Sequence, residues 1–253
     1  MSHWIDARSA TAPEIAAFAE RHPVAILPVG SFEQHGPHLP LDTDNRIAEA
    51  MALETARRSV GMVLPVLNVG YAWVWRGKPG TLTFRFETYM AIIRDIAESL
   101  SGWGIKAVYV LSGHGSNPQP VKHAIREHIH GHYDIGVLNG IYSGLGEMLE
   151  ECDSRPWHND IHAEEIETSL MLAIAPELVR MDRAAADYPP VPAEYGKSEL
   201  SMGQLMESGV FGDPTVASAE KGRRWLETGG QRSAELWLDY LARRGLHQAG
   251  GAT

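Results

Sequence analysis

The sequence predicts an α/β fold, a mostly parallel β-sheet covered by helices on both faces. Three observations predict it. Strand–loop–helix units follow one another three times between residues 24 and 130, the repeat that builds a parallel sheet with crossover helices. The stretches at 24–30 and 106–111 are apolar enough to be buried strands. Each runs into a His-bearing loop at its carboxyl end, where ligands sit in such sheets.

Thr11-Ala12-Pro13-Glu14 opens the first helix: Thr11 caps, Pro13 suits the first turn and Glu14 completes a capping box. That helix runs to about His22 with Ile15, Phe18 and Ala19 on one face. After strand 24–30 and the first His loop, residues 45–58 read as a helix with Ile47, Ala50 and Met51 inward. A second strand at 62–70 contains Pro65, which predicts an irregular course. An aromatic, glycine-rich loop follows at 71–81. The helix at 87–101 carries Ile93, Ile96, Ala97 and Leu100 at helical spacing, and Gly102 and Gly104 stop it. Strand 106–111 leads into Ser112-Gly113-His114-Gly115-Ser116-Asn117 and a helix bearing His123, Ile125, His128 and Ile129.

Residues 134–142 are a fourth strand candidate, and 151–162 a polar loop with Trp157, His158, Asp160 and His162. A helix spans about 163–175 with Ile166, Leu170 and Ala173 toward the core. From 183 to 212 the chain is rich in Pro, Gly and Ser: a lid, an intersubunit arm or a loop draped on the surface. Residues 218–245 are helical in pattern, with a break or kink expected at Gly229-Gly230. No repeat, low-complexity block or linker divides the chain, so one domain over 1–253 is expected.

With 44% hydrophobic and 21% charged residues, the 253-residue chain has the composition of a globular protein with a sizeable core. A net charge of -10 disfavours general attraction to nucleic acid or anionic membrane. The single cysteine, Cys152, excludes an intrachain disulfide and a Cys-rich zinc site, and fits a reducing compartment. Asp6, Arg8, Glu14 and Glu20 interrupt any apolar leader, and no run approaches the ~20 apolar residues of a bilayer span. The cytoplasm is the expected location.

Chemistry concentrates in Glu33-Gln34-His35-Gly36-Pro37-His38, followed by Asp42 and Asp44. Zinc, manganese and iron take imidazole and carboxylate ligands, and one carboxylate can bridge two ions ~3.5–4 Å apart. Glu33, His35 and Asp44 are the natural ligands from this loop, and His114 the natural ligand from the third strand. Gly36, Gly113 and Gly115 let backbone approach the metals. His38 reads as a ligand or as a residue that orients a ligand carboxylate, and Asp42 as a ligand or a turn residue. His22, His123, His128, His130, His132 and His247 read as surface residues.

The run from Glu33 to Asp44 resembles the signature of the creatininase (creatinine amidohydrolase) family. Pro79-Gly80-Thr81-Leu82-Thr83, Ser112-Gly113-His114-Gly115-Ser116-Asn117 and His162-Ala163-Glu164-Glu165-Ile166-Glu167-Thr168-Ser169 agree in the same order. Gly209-Val210-Phe211-Gly212-Asp213-Pro214 with Ala219-Glu220-Lys221-Gly222 resembles its C-terminal segment. The resemblance implies a three-layer α/β/α sandwich, assembly as a homohexamer, and a two-metal hydrolytic centre, zinc paired with manganese, iron or a second zinc. By position, Glu33 and His35 each bind one metal, Asp44 bridges and His114 completes one site. His162 is similar to the family's catalytic histidine and Glu167 to its downstream carboxylate. Members that act on creatinine carry a ligand Glu two residues after the strand-end His; Ser116 stands there in this chain, and Glu167 is the candidate to fill the gap.

The residues around Glu167 fit that role. Glu164 and Glu167 share a helix face, and with Ile166 and Leu170 turned to the core Glu167 is expected to be partly buried, where a carboxylate wants a cation; a solvated Glu167 is the alternative. Metal-activated water would attack a carbonyl and His162 would protonate the leaving group. Trp73, Trp75 and Trp157 sit on loops and read as packing residues or as a cover over a small-molecule substrate; Arg76 reads as a solvated residue or an anion partner. The leading expectation is C–N hydrolysis in a small cyclic or related amide other than creatinine. The family's ring-opening C–C hydrolases supply a second reading, and a non-catalytic metal-binding assembly protein a third.

Overall fold

The structure, a computed structural model, describes residues 2–155 and 162–247. Its strands are β1 (Trp4–Asp6), β2 (Val24–Val29), β3 (Gly61–Val63), β4 (Ala107–Ser112) and β5 (Gly136–Ile141). Its helices are α1 (Ala12–Arg21), α2 (Thr43–Arg57), α3 (Phe86–Gly102), α4 (Pro118–Ala124), α5 (Leu145–Glu150), α6 (Glu165–Ile174), α7 (Met202–Leu205) and α8 (Ala219–Arg243). The strands form one parallel sheet in the order β1-β3-β2-β4-β5.

Central strands of a parallel sheet are covered on both faces, and every residue of β2 and β4 is buried. Alternate side chains serve opposite layers. Ala25, Leu27, Val29, Val108 and Val110 pack against α1, α3 and α4 through Phe18, Ile93, Ala97 and Val121. Val24, Ile26, Ala107, Tyr109 and Leu111 pack against α2, α5, α6 and α8 through Ile47, Met51, Met148, Leu170 and Trp237. The three-layer sandwich is therefore present.

Several elements depart from expectation. β1, three residues long, carries no readable period and was not anticipated. The strand expected at 62–70 ends at Val63, and the chain returns only at Leu67, which bridges to Val29. Pro28 faces this irregular stretch, where its carbonyl accepts from Leu67 N–H at 3.0 Å and the interrupted ladder tolerates a residue without an N–H. Helix α2 starts at Thr43 and takes Asp44 into its first turn. Helix α8 runs through Gly229-Gly230 without a break. A Cβ at Gly229 would lie 2.7 Å from Met51 Sδ and one at Gly230 2.6 Å from Glu54 Cβ; the pair allows α8 to cross α2 closely.

The 183–212 segment covers the aromatic loop. Met202, Met206, Tyr188, Val191 and Tyr195 gather with Trp75 and Phe211, and Lys78 Nζ donates to the Met206 carbonyl at 2.9 Å. Trp157, His158 and Asp160 lie outside the described residues.

Candidate metal centre

β2 and β4 are neighbours in the sheet, so the loops at their carboxyl ends emerge side by side. A Cβ at Gly113 would lie 2.3 Å from the Asp44 carbonyl; glycine there lets the β4 loop abut the first turn of α2 and brings His114 to Asp44. Asn117 ties the loops together, donating to the Gly30 carbonyl and accepting from Tyr71 N–H, both at 2.9 Å. Before α6, Ala163 is the one non-glycine with positive φ (52°) among the described residues, a conformation that costs about 1–2 kcal/mol. Its N–H donates to Glu167 Oε2 at 2.5 Å, and Glu164 caps the helix by accepting from Ile166 and Glu167 N–H. The bend turns His162 and Glu167 toward the same place.

Glu33, His35, Asp44, His114, His162 and Glu167 are all buried. Their ligand atoms form three overlapping groups, each within 4.8 Å: Glu33, Asp44 and His114; His35, Asp44 and Glu167; and Glu33, His35 and His162. Asp44 is shared by the first two. Its Oδ1 lies 3.1 Å from His35 Nε2 and its Oδ2 3.0 Å from His114 Nδ1. Glu33 Oε1 is 3.3 Å from His114 Nδ1, and Glu167 Oε2 is 3.7 Å from His35 Nε2.

A carbonyl can only accept, so His35 Nδ1 donates to the Glu33 carbonyl (3.1 Å) and His114 Nε2 to that of Tyr71 (3.2 Å). Each ring thereby keeps its other nitrogen for the carboxylates, as metal-binding histidines do. Glu33 Oε1 and Asp44 Oδ2 are buried without a partner in hydrogen-bonding geometry, at a cost of about 1–3 kcal/mol or more each. A divalent cation between them and His114 Nδ1 relieves that cost, so the residues fit a metal.

Electrostatics separates the three histidines. Burial alone would depress His35, but Asp44, Glu167 and Glu33 raise it to about 10. His114 is likewise raised by Glu33 and Asp44 against burial. Asp44 is lowered by His35 and His114 although burial opposes them, whereas burial, with Asp44 and Glu33, lifts Glu167 to about 7 against the pull of His35. Such a nest of carboxylates draws positive charge, proton or metal, and the two compete for it. His162 goes the other way: burial and His35 press it well below its ordinary value, leaving a neutral ring.

That ring stacks on Trp75, with centroids 4.3 Å apart, and its Nδ1 lies 3.8 Å from Glu33 Oε1. His114, His162 and Glu167 open onto a cavity of about 440 Å³ walled by Tyr71, Trp73, Trp75, Ser116, Tyr195 and Met202. His38 stands behind the cluster, its Nε2 2.9 Å from Thr168 Oγ1, and is in none of the ligand groups. Asp42 is a turn residue, paired with Arg46 at 3.1 Å and accepting from Asn45. Arg76 is exposed and lies over the Trp73 ring. His123, His128, His130 and His132 are exposed, and His22 and His247 half-buried. The Trp75 stack and the cavity walls from 183–212 were not legible in the chain, because each depends on a partner distant in sequence; the Glu164 cap is local, but glutamate is not among the residues that mark an N-cap.

A family model described as creatinine amidohydrolase matches residues 8–237. A mycofactocin precursor peptide peptidase of Mycobacterium ulcerans is 34% identical over 213 residues, covering 80% of this chain and 79% of that protein. The creatinine amidohydrolase of Pseudomonas putida is 29% identical over 221 residues, covering 81% and 84%. A solved structure of a manganese creatininase matches with a TM-score of 0.79 at 27% identity, over 96% of this chain and 99% of that one. A Zn–Zn type creatininase mutant matches at 0.78 and 26%, over 96% and 98%. Motifs, fold and the match over nearly the whole chain agree: this chain belongs to the creatininase family and is a metal-dependent hydrolase of the amidohydrolase type.

Proposed function

We propose that this enzyme hydrolyses an amide C–N bond in a small cyclic or related amide, and that creatinine is not its substrate. The sharing of Asp44 between two ligand groups carries the reading. Glu33, Asp44 and His114 hold one divalent ion, and His35, Asp44 and Glu167 a second, zinc beside manganese, iron or another zinc. When bound, such a pair supplies an activated water near neutral pH and polarises the carbonyl under attack. His162, a neutral ring at the cavity edge of the cluster, would take up the proton that the attacking water gives up and pass it to the leaving nitrogen. Trp75 shields one face of that ring from water, and Tyr71, Trp73 and Tyr195 give the substrate flat walls. Ser116 puts a hydroxyl on the cavity wall where creatinine-hydrolysing members carry a carboxylate, while the Asp44-sharing groups are complete without it.

The test offers metal-loaded protein creatinine, a simple lactam, an N-formyl amine, a short peptide and a polyhydroxylated cyclic ketone. Release of ammonia or amine from one of the amides other than creatinine is the expected result. A new carboxylate from the ketone alone would favour C–C hydrolysis, a reading supported by 26% identity over 241 residues to the 3-dehydro-scyllo-inosose hydrolase of Thermotoga maritima. Absence of zinc, manganese and iron in protein purified without chelator would sink both. The reading includes a cytoplasmic homohexamer, for which light scattering should give six times the 27.8 kDa chain mass.

A further inference from the structure

We infer that Gln34, between two ligands of the first loop, is the positioning residue for the His162 ring, and that position 209 is glycine to make room for it. The inference rests on His162 acting as the proton donor proposed above. The Gln34 side-chain oxygen accepts from Gly36 N–H at 3.1 Å, and its nitrogen donates to the Gly209 carbonyl at 3.4 Å. Those contacts decide which way round the amide stands, with its NH2 toward His162 Nε2, 2.8 Å away. The backbone carbonyl of Gln34 lies 2.9 Å from the same ring nitrogen. One residue thus offers Nε2 a donor when it is bare and an acceptor when it carries a proton.

The geometry needs such a hold. Trp75 and His35, with centroids 4.3 and 4.4 Å from His162, fix the plane of the ring. Stacking is indifferent to a half-turn about Cβ–Cγ, which would exchange Nδ1 for a carbon. The contacts at Nε2 are lost in that half-turn, so they keep Nδ1 directed at Glu33 Oε1. Gly209 sits at φ +74°, and a Cβ there would lie 1.7 Å from Gln34 Oε1 and 2.6 Å from its Cδ. Any side chain at 209 displaces the amide. The segment that covers the cavity therefore reaches the His162 ring through Gln34.

The test uses zinc-loaded full-length chain labelled with 15N-histidine, the His162 ring N–H signal being the one that His162→Ala removes. Gln34→Met keeps the side-chain length without the polar atoms; Gly209→Ala keeps Gln34 and pushes it aside. Both variants are expected to speed exchange of that ring proton by about 10-fold, the worth of one hydrogen bond. Zinc content should be unchanged, and kcat for the hydrolysed amide should fall without a change in KM. An unaltered His162 signal and exchange rate in Gln34→Met overturns the inference, and if Gly209→Ala does not fold, Gln34→Met decides alone. Full turnover by His162→Ala would remove the proton-donor role while the ring signal still reports the clamp. Loss of turnover in His162→Ala with Gln34→Met unchanged in both readouts would sink the clamp and leave the proposed function standing.

Discussion

Lys221→Met removes the cation that faces the buried carboxylate of Glu165. Glu165 is 0% exposed and opens α6, two residues before Glu167. Its oxygens accept from Asp153 N–H at 3.1 Å, Ser154 N–H at 2.7 Å and Lys221 Nζ at 2.6 Å. Methionine keeps most of the stem but leaves the carboxylate only its Asp153 and Ser154 donors. Removing one partner of a buried pair costs about 3–5 kcal/mol, and the surviving N–H bonds hold the loss near the lower end, about 3 kcal/mol. At about 2–4 °C per kcal/mol for a chain of this size, Tm should fall by roughly 6–12 °C in calorimetry. The pH dependence carries the sign. Burial alone would raise the Glu165 carboxyl, but Lys221 and the loop N–H groups outweigh it and hold it below 4.5. A carboxyl depressed in the folded state stabilises above its unfolded pKa and loses that contribution as pH falls through the folded value. The wild-type advantage should therefore be full at neutral pH and shrink as pH falls below that ordinary value. A Tm difference under about 1 °C at neutral pH, or one that stays constant on acidification, refutes the reasoning.

Asp44→Asn should empty both metal positions together, whereas His114→Ala should lower one; metal analysis after dialysis reads the difference, and equal losses would count against a shared carboxylate. Trp75→Ala, at a side chain 1% exposed, should cost about 3–5 kcal/mol in denaturant melts; a cost below about 1 kcal/mol would mean the Trp75 site is loosely packed. Gly222→Ala would place a Cβ 1.8 Å from the Ser169 carbonyl on α6, so α8 must back away, at about 1–3 kcal/mol. Because α6 also carries Glu167, metal retention should weaken with stability, and retention unchanged in a destabilised variant would uncouple the two.

The sheet was legible because burial on both faces writes β2 and β4 as unbroken apolar runs, each emptying into a ligand-bearing loop. The three-residue β1 and β3 have too few residues to show a period, so one was missed and the other overextended. Gly229-Gly230 was misread for a different reason: paired glycines mark a helix break and a close helix crossing equally well, and only the presence of α2 opposite distinguishes them. Sequence left Glu167 open between burial and solvent. Its 4% exposure follows from the left-handed turn at Ala163, a conformation alanine does not announce.

The fold divides its labour between a fixed cluster and irregular walls, in a chain whose relatives are named for a peptide, for creatinine and for an inosose. Glu33, His35, Asp44, His114 and Glu167 stand at the ends of β2 and β4 and in the first turns of α2 and α6, elements packed on both sides and laced by Asn117 and the α6 cap. The cavity walls come from irregular chain: Tyr71, Trp73 and Trp75 from the aromatic loop, Tyr195 and Met202 from the covering segment. Loops on a rigid scaffold tolerate change at little cost to stability. Ser116 sits at the boundary, on a ligand-bearing loop but facing the cavity. In the proposed arrangement Asp44 and Glu167 complete the second group without it, so that position is released from metal binding and its side chain bears on the substrate instead.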